Sequence, residues 1–206
     1  MTQLALVLAR TAVLSMDVQT AIVSHYAKDR PELVEIAASV LKEARRVGMT
    51  VIHVRVGFRP TLPEVSARNP LFAAIKNSAQ HQAIFEGAAG KIHAAVAPQA
   101  GDIVVIKHRV SAFAGTDLEM ILRANDIDTL VLFGIATSGV VLSTLLEACD
   151  ADYRLIVLAD CCADLDAALH SCLLEKLFPR RATVLNASEF LSALALIESA
   201  PPAPSA

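Results

Sequence analysis

Short apolar runs alternate with helical patterns along this chain, and the alternation predicts an α/β protein. The expected architecture is a three-layer α/β/α sandwich on a mainly parallel, six-stranded sheet. Three observations carry that expectation. Apolar runs at residues 11–18, 50–56, 103–106, 130–133, 153–159 and 182–185 have the length of buried strands. Between them, apolar residues recur at helical spacing with no internal repeat. The turn FGIATSGVVL, residues 133–142, follows the fourth run at the edge where open α/β sheets bind ligands.

The first run, TAVLSMDV, is broken only by Ser15 and carries Asp17 near its end, as expected of a central parallel strand. In residues 31–47, Leu33, Val34, Ala37, Ala38, Val40, Leu41 and Ala44 keep helical spacing, with Pro31 suited to the first turn and Gly48 to the cap. Residues 50–56 then complete a βαβ unit. Residues 57–70, GFRPTLPEVSARNP, hold three prolines together with Arg59 and Arg68, and read as a long ordered loop of the kind that covers a site. A short helix is expected at 71–79 and irregular structure at 81–98. Thr116 and Glu119 have the spacing of a capping box for a helix running to Asn125. Residues 138–149 and 164–178 read as further helices, and Asn186 with Glu189 caps a last one.

Composition narrows the classes of function. A chain of 206 residues suits one domain, expected over residues 1–200, with the PPAPSA tail at 201–206 disordered. Hydrophobic residues make up 54%, yet charged residues interrupt every apolar run before ~18 accumulate, so no membrane span is expected. The apolar first sixteen residues lack a basic start and contain Arg10, which fits a strand better than a secretion signal and points to the cytoplasm. A net charge of −3 and scattered basic residues argue against a nucleic-acid partner. Cys149, Cys161, Cys162 and Cys172 have no C-x-x-C spacing, so each reads as a reduced, small core residue.

Asp17, Lys107 and the turn at 134–140 all fall at carboxyl ends of strands. A doubly wound sheet is expected to bring the first, third and fourth strands close together. A buried Asp facing a Lys serves as acid or base, its pKa set by desolvation against the lysine charge; a structural ion pair is the plainer reading. Gly134 and Gly139 permit close backbone approach, and Thr137 and Ser138 offer hydroxyl and N–H groups at a helix start. Of the arginines in or beside the long loop (Arg55, Arg59, Arg68), Arg59 is the preferred contact for a substrate carboxylate. The histidines share no ligand spacing and His53 reads as a strand residue, so neither a metal nor another cofactor is expected.

Asp17 in LSMDVQ, Lys107 in KHRVSAFAGTDLEMILRANDIDTLVLFG, and GIATSGVVLSTLLEACDADYRLIVLADCCAD together resemble the three signature regions of the isochorismatase-like (cysteine hydrolase) superfamily. The resemblance covers most of residues 11–190 and implies a Rossmann-like sandwich, a small-molecule substrate and a homo-oligomer. It also implies an Asp, Lys and Cys active site, with the Cys at position 140 of the pattern G-x-x-T-x-x-C-V. Position 140 here is Val, which has no nucleophilic atom for a thioacyl route.

The resemblance therefore points to the branch without the cysteine, in which the aspartate protonates an enol carbon and water adds to the oxocarbenium-like centre. Asp17 is then the general acid or base, Lys107 orients it, and burial must outweigh Lys107 for the acid to hold its proton. A ligand-binding pseudoenzyme and an amidohydrolase whose Cys was replaced are the alternatives. The resemblance further implies a cis peptide at Ala136–Thr137 and N–H groups at 137–140 turned inward to hold an oxyanion, with Ala136, Thr137 and Gly139 forming that turn.

Overall fold

The computed structural model describes residue 4 and residues 6–199, so the tail expected at 201–206 lies outside the described residues. Six strands run in chain order: β1 (Thr11–Met16), β2 (Thr50–Val56), β3 (Ile103–Lys107), β4 (Thr129–Gly134), β5 (Arg154–Leu158) and β6 (Thr183–Leu185). All neighbours are parallel, in the order β3-β2-β1-β4-β5-β6. Every residue of β1 and β4 is buried, which makes this pair the centre of the core and explains their unbroken apolar runs.

The helices are α1 (Thr20–Tyr26), α2 (Glu32–Arg46), α3 (Pro70–Lys76), α4 (Ala79–Ala83), α5 (Leu118–Ala124), α6 (Leu142–Asp150), α7 (Ala167–Cys172) and α8 (Ala187–Ser199). Helix α2 buries Leu33, Val34, Ala37, Val40, Leu41 and Ala44, the stripe expected from the sequence except Ala38, which is half-buried. It stops at Gly48, whose φ of 77° lets its N–H return to Arg45 O at 3.1 Å. The connection between β5 and α8 is held by Asp160, whose carboxylate accepts the Ala187 N–H at 2.9 Å, at the positive end of α8. Among the described residues no helix is long and apolar enough to cross a membrane.

Several expectations need correction. Strand β3 does not neighbour β1, because β2 lies between them; Lys107 must therefore reach across the end of β2. Helix α1 was not expected, since it is short and its start has no side-chain cap. The helix expected at 71–79 is α3, which ends at Lys76, and a second short helix, α4, runs into the stretch expected to be irregular; each is begun by a side-chain cap, from Asn69 and Ser78 respectively. The box at Thr116 is only half made: its hydroxyl accepts the Leu118 N–H at 3.2 Å, while Glu119 turns to Arg123 instead. At α8 the other half forms, with Glu189 accepting the Asn186 N–H at 2.8 Å. The helix expected at 138–149 opens with a wide turn, Thr137–Val141, kinked at Gly139 (φ −98°, ψ −105°), before α6 begins.

A second buried ionic group lies on the face of β2 covered by α2. His53 Nε2 is 3.1 Å from Asp102 Oδ2, and Asp102 also accepts Arg45 Nη2 at 2.7 Å and the Gln99 N–H at 2.8 Å. Burial lowers the His53 pKa, although Asp102 pulls against it. His53 is thus a strand residue, as expected, tied into a structural group between α2 and the start of β3.

Candidate active site

The crevice at the carboxyl ends of β1 and β4 is the point where the sheet reverses its winding, with β2 and β3 to one side and β5 and β6 to the other. Met16 and Gly134 are register partners there, and the approach is close. A Cβ on Gly134 would fall 2.1 Å from Met16 O, and the glycine has φ +153°. Any side chain at 134 would displace the end of β1 one residue before Asp17. Asp17 itself has a φ of 56°, the left-handed region that Asp tolerates better than most residues. That turn takes its side chain out of the strand's alternation.

Asp17 and Lys107 meet. Lys107 Nζ is 2.8 Å from Asp17 Oδ2, and both residues are buried, at 2% and 5% relative exposure. The ammonium also donates to Arg109 O at 3.0 Å. Asp17 Oδ1 is buried without a hydrogen-bond partner. Burial raises the Asp17 pKa above the usual carboxylate range, outweighing the charge and hydrogen bond of Lys107. The Val56 N–H pulls weakly in the same direction as Lys107, although its hydrogen bond goes to Gln19 Oε1 at 2.8 Å.

Residues that the sequence reading did not single out hold this pair in place. Gln19 is fully buried; besides accepting from Val56, its Nε2 donates to Val56 O at 3.1 Å and to Gly90 O at 2.7 Å. It locks the end of β2, over which Lys107 must pass, to the loop before β3. Ser111, in the S-A-F segment after Lys107, donates to Glu147 Oε2 at 2.5 Å, and the Ala112 N–H donates to Thr144 Oγ1 at 3.0 Å. The motif thus docks the segment behind Lys107 on α6. A buried amide, a buried helix Thr and an exposed helix Glu carry no signal of this in one sequence.

The turn after β4 is tightly bonded. Its cis peptide is Ile135–Ala136, one bond before the position expected. Thr137 N–H donates to Ala163 O at 2.9 Å, Ser138 N–H to Asp164 Oδ2 at 2.7 Å, and the N–H groups of Gly139 and Val141 to Ala136 O at 3.1 and 3.3 Å. The expected row of free donors at 137–140 is therefore mostly committed, which leaves at most Ala136 and Val140 for an incoming oxyanion. Thr137 Oγ1 is 2.8 Å from His170 Nδ1, another contact without a sequence signal. Val140 is 2% exposed and packs in the core.

Arg59 does not join the pair. It lines a cavity of about 880 Å³ beside Arg55, Phe58 and His108. The cysteines are not substitutes for a nucleophile at 140. Cys161 and Cys162 are buried, and burial pushes both thiols up, Cys162 to about 12. Cys149 is half-buried, and Cys172 is exposed rather than a core residue, because α7 turns that side outward.

The fold and site are those of a wound parallel α/β sheet with a buried carboxyl–ammonium pair at its switch point. Comparison with known proteins specifies the class. The Isochorismatase domain model matches residues 11–189, and the chain belongs to the isochorismatase family of hydrolases. An uncharacterized isochorismatase family protein of Escherichia coli O157:H7, YecD, is 34% identical over 168 residues, covering 79% of this chain and 84% of its own. The maleamate amidohydrolase of Pseudomonas putida is 33% identical over 144 residues, 68% of this chain and 63% of that enzyme. Among solved structures, an isochorismatase family protein from Burkholderia thailandensis superposes with a TM-score of 0.78 at 26% identity, over 91% of this chain and 96% of that one. A cysteine hydrolase from Pseudomonas syringae pv. phaseolicola shares the fold, with a TM-score of 0.82 at 23% identity over 93% and 95% of the two chains.

Proposed function

We propose that the chain hydrolyses a small-molecule substrate without a covalent cysteine intermediate, with Asp17 as the general acid. The observation that carries this reading is the division of labour within one carboxyl group. Oδ2 is held by Lys107, while Oδ1 is buried and unpartnered. A carboxyl whose pKa is raised by burial holds its proton on the free oxygen, where it faces the reacting atom rather than the ammonium.

On a vinyl ether, Asp17 passes that proton to the enol carbon. Water adds to the resulting oxocarbenium carbon, and the hemiketal collapses to a carbonyl and an alcohol, the proton from water restoring Asp17. Lys107 keeps the carboxyl oriented and stabilises the carboxylate formed in the first step. Val140 occupies the position where a cysteine hydrolase carries its sulfur, and it supplies apolar surface that supports the raised pKa.

The test is a turnover panel of vinyl ethers, amides and carbamates on the wild type, Asp17→Asn and Val140→Cys. Wild-type turnover of a vinyl ether that disappears in Asp17→Asn supports the reading. Unchanged turnover in Asp17→Asn sinks it. Amidase activity gained only in Val140→Cys identifies the turn as a cysteine-hydrolase frame lacking its sulfur.

A further inference from the structure

The cavity of about 880 Å³ lies apart from Asp17. Side chains alternate between the two faces of a strand, so Arg55 of β2 and Val104 and Ile106 of β3, which line the cavity, point away from the face that takes Val56 and Lys107. The geometry at Gly57 agrees. A Cβ there would meet Ile106 Cγ2 at 3.0 Å and Arg55 Nη1 at 3.3 Å, so the Arg55 guanidinium folds back over the glycine on this same side. Helix α2 leaves this edge of the sheet uncovered, and Val104 and Ile106 stay 44% and 45% exposed.

The charge of the lining is one-sided. Arg55, Arg59 and Lys91 contribute to it, and no carboxylate is part of the lining. Among the described residues, Arg55, Arg59 and Lys91 form no ion pair. Glu64 is outside the lining, but its carboxylate accepts the Arg59 N–H at 2.8 Å, feels the Arg59 charge and approaches His108 Nδ1 at 3.6 Å, so Arg55 and Lys91 are the cations it leaves unopposed. His108 Nδ1 donates to Gly57 O at 2.5 Å, since a carbonyl only accepts. The remaining walls are apolar and aromatic: Phe58 and Phe85 meet edge-on with ring centroids 5.4 Å apart.

We infer that this cavity is a second, non-catalytic binding site for a small organic anion with a flat apolar body. The guanidinium forks of Arg55 and Arg59 match a carboxylate or phosphate head group, Lys91 adds a point charge, and the Phe58 and Phe85 rings take the flat body. The inference is independent of the proposed hydrolase activity, because it uses neither Asp17 nor Lys107.

The test is calorimetric titration of the full chain with benzoate, with benzamide as its neutral counterpart, and with phenyl phosphate. Benzoate or phenyl phosphate is expected to bind about ten-fold or more tightly than benzamide, and the tighter of the two names the head group. Arg55→Gln, and separately the exposed Lys91→Gln, should weaken anion binding, and Gly57→Ala should do so by pressing on the guanidinium. Asp17→Asn should leave it unchanged. Equal binding of benzoate and benzamide overturns the inference. So does loss of benzoate binding in Asp17→Asn with Arg55→Gln unaffected, which would place the anion at the catalytic pair. Sedimentation showing that Arg55→Gln dissociates an oligomer, with no benzoate bound by the wild type, also overturns it in favour of a second copy of the chain.

Discussion

The sheet carries two buried carboxylates that answer burial in opposite ways. Asp17 keeps one oxygen without a partner, and burial drives its pKa up. Asp102 sits nearer the surface, in a half-buried residue whose side chain is nonetheless only 3% exposed. Burial pushes its pKa up as well, but donors from Arg45, the Gln99 N–H and His53 pull it below the usual carboxylate value. Asp102 differs in two ways, being less deeply placed and better supplied with donors. A fully bonded buried carboxylate is a structural joint, and an under-bonded one is a store of proton affinity.

The contrast can be broken at several points. The largest expected effect is on turnover: Asp17→Asn keeps the shape but loses the proton, and kcat should fall by about 10²–10⁴-fold with the fold intact by circular dichroism. Asp102→Ala should act on stability instead. It strands Arg45 and His53, at a cost of about 3–5 kcal/mol in denaturant unfolding, while the kcat of the folded fraction is retained. An Asp102→Ala protein with wild-type stability would remove the distinction drawn here.

Lys107→Met sharpens the comparison. Removing the group that lowers the Asp17 pKa leaves burial unopposed, so the alkaline limb of the pH–rate profile should move to higher pH. A limb that moves to lower pH would mean that a different group titrates.

The smallest effects are slopes of stability with pH, and their signs differ. Asp102 binds its proton less readily folded than unfolded. Its contribution is present above the unfolded value of about 3.9 and is lost as pH falls through the folded value. Asp17 binds its proton more readily folded, so its contribution is complete below the unfolded value and is lost as pH rises through the folded one. Melting temperatures of Asp17→Asn, taken relative to the wild type, should therefore rise as pH increases from about 4, and those of Asp102→Asn should rise as pH falls below it.

What the sequence disclosed followed from periodicity and punctuation. Strand β2 is bounded as expected at residues 50–56, because β-branched residues fill it between Gly48 and Gly57. Asp17 and Lys107 were legible as a pair because strand ends converge on one edge. Their geometry was not, since the reach of Lys107 over β2 depends on strand order and on Gln19, an uncharged amide with partners 37 and 71 positions away. Arg59 could be singled out as a candidate from its loop, but its place could not. The cavity it lines is closed by residues 85–98, a stretch with no regular pattern to read.

The paired thiols of Cys161 and Cys162 have a consequence for how the molecule opens. With burial holding Cys162 at about 12 and Cys161 higher still, an alkylating reagent at neutral pH reaches the exposed Cys172 first. These two sulfurs lie at the end of β5, and Cys162 Sγ is bonded to Leu158 O at 3.3 Å. Their labelling requires this edge of the sheet to come apart. The lag between labelling at 172 and labelling at 161 and 162 is thus a built-in clock for opening beside the turn, readable by mass spectrometry without introducing a new cysteine.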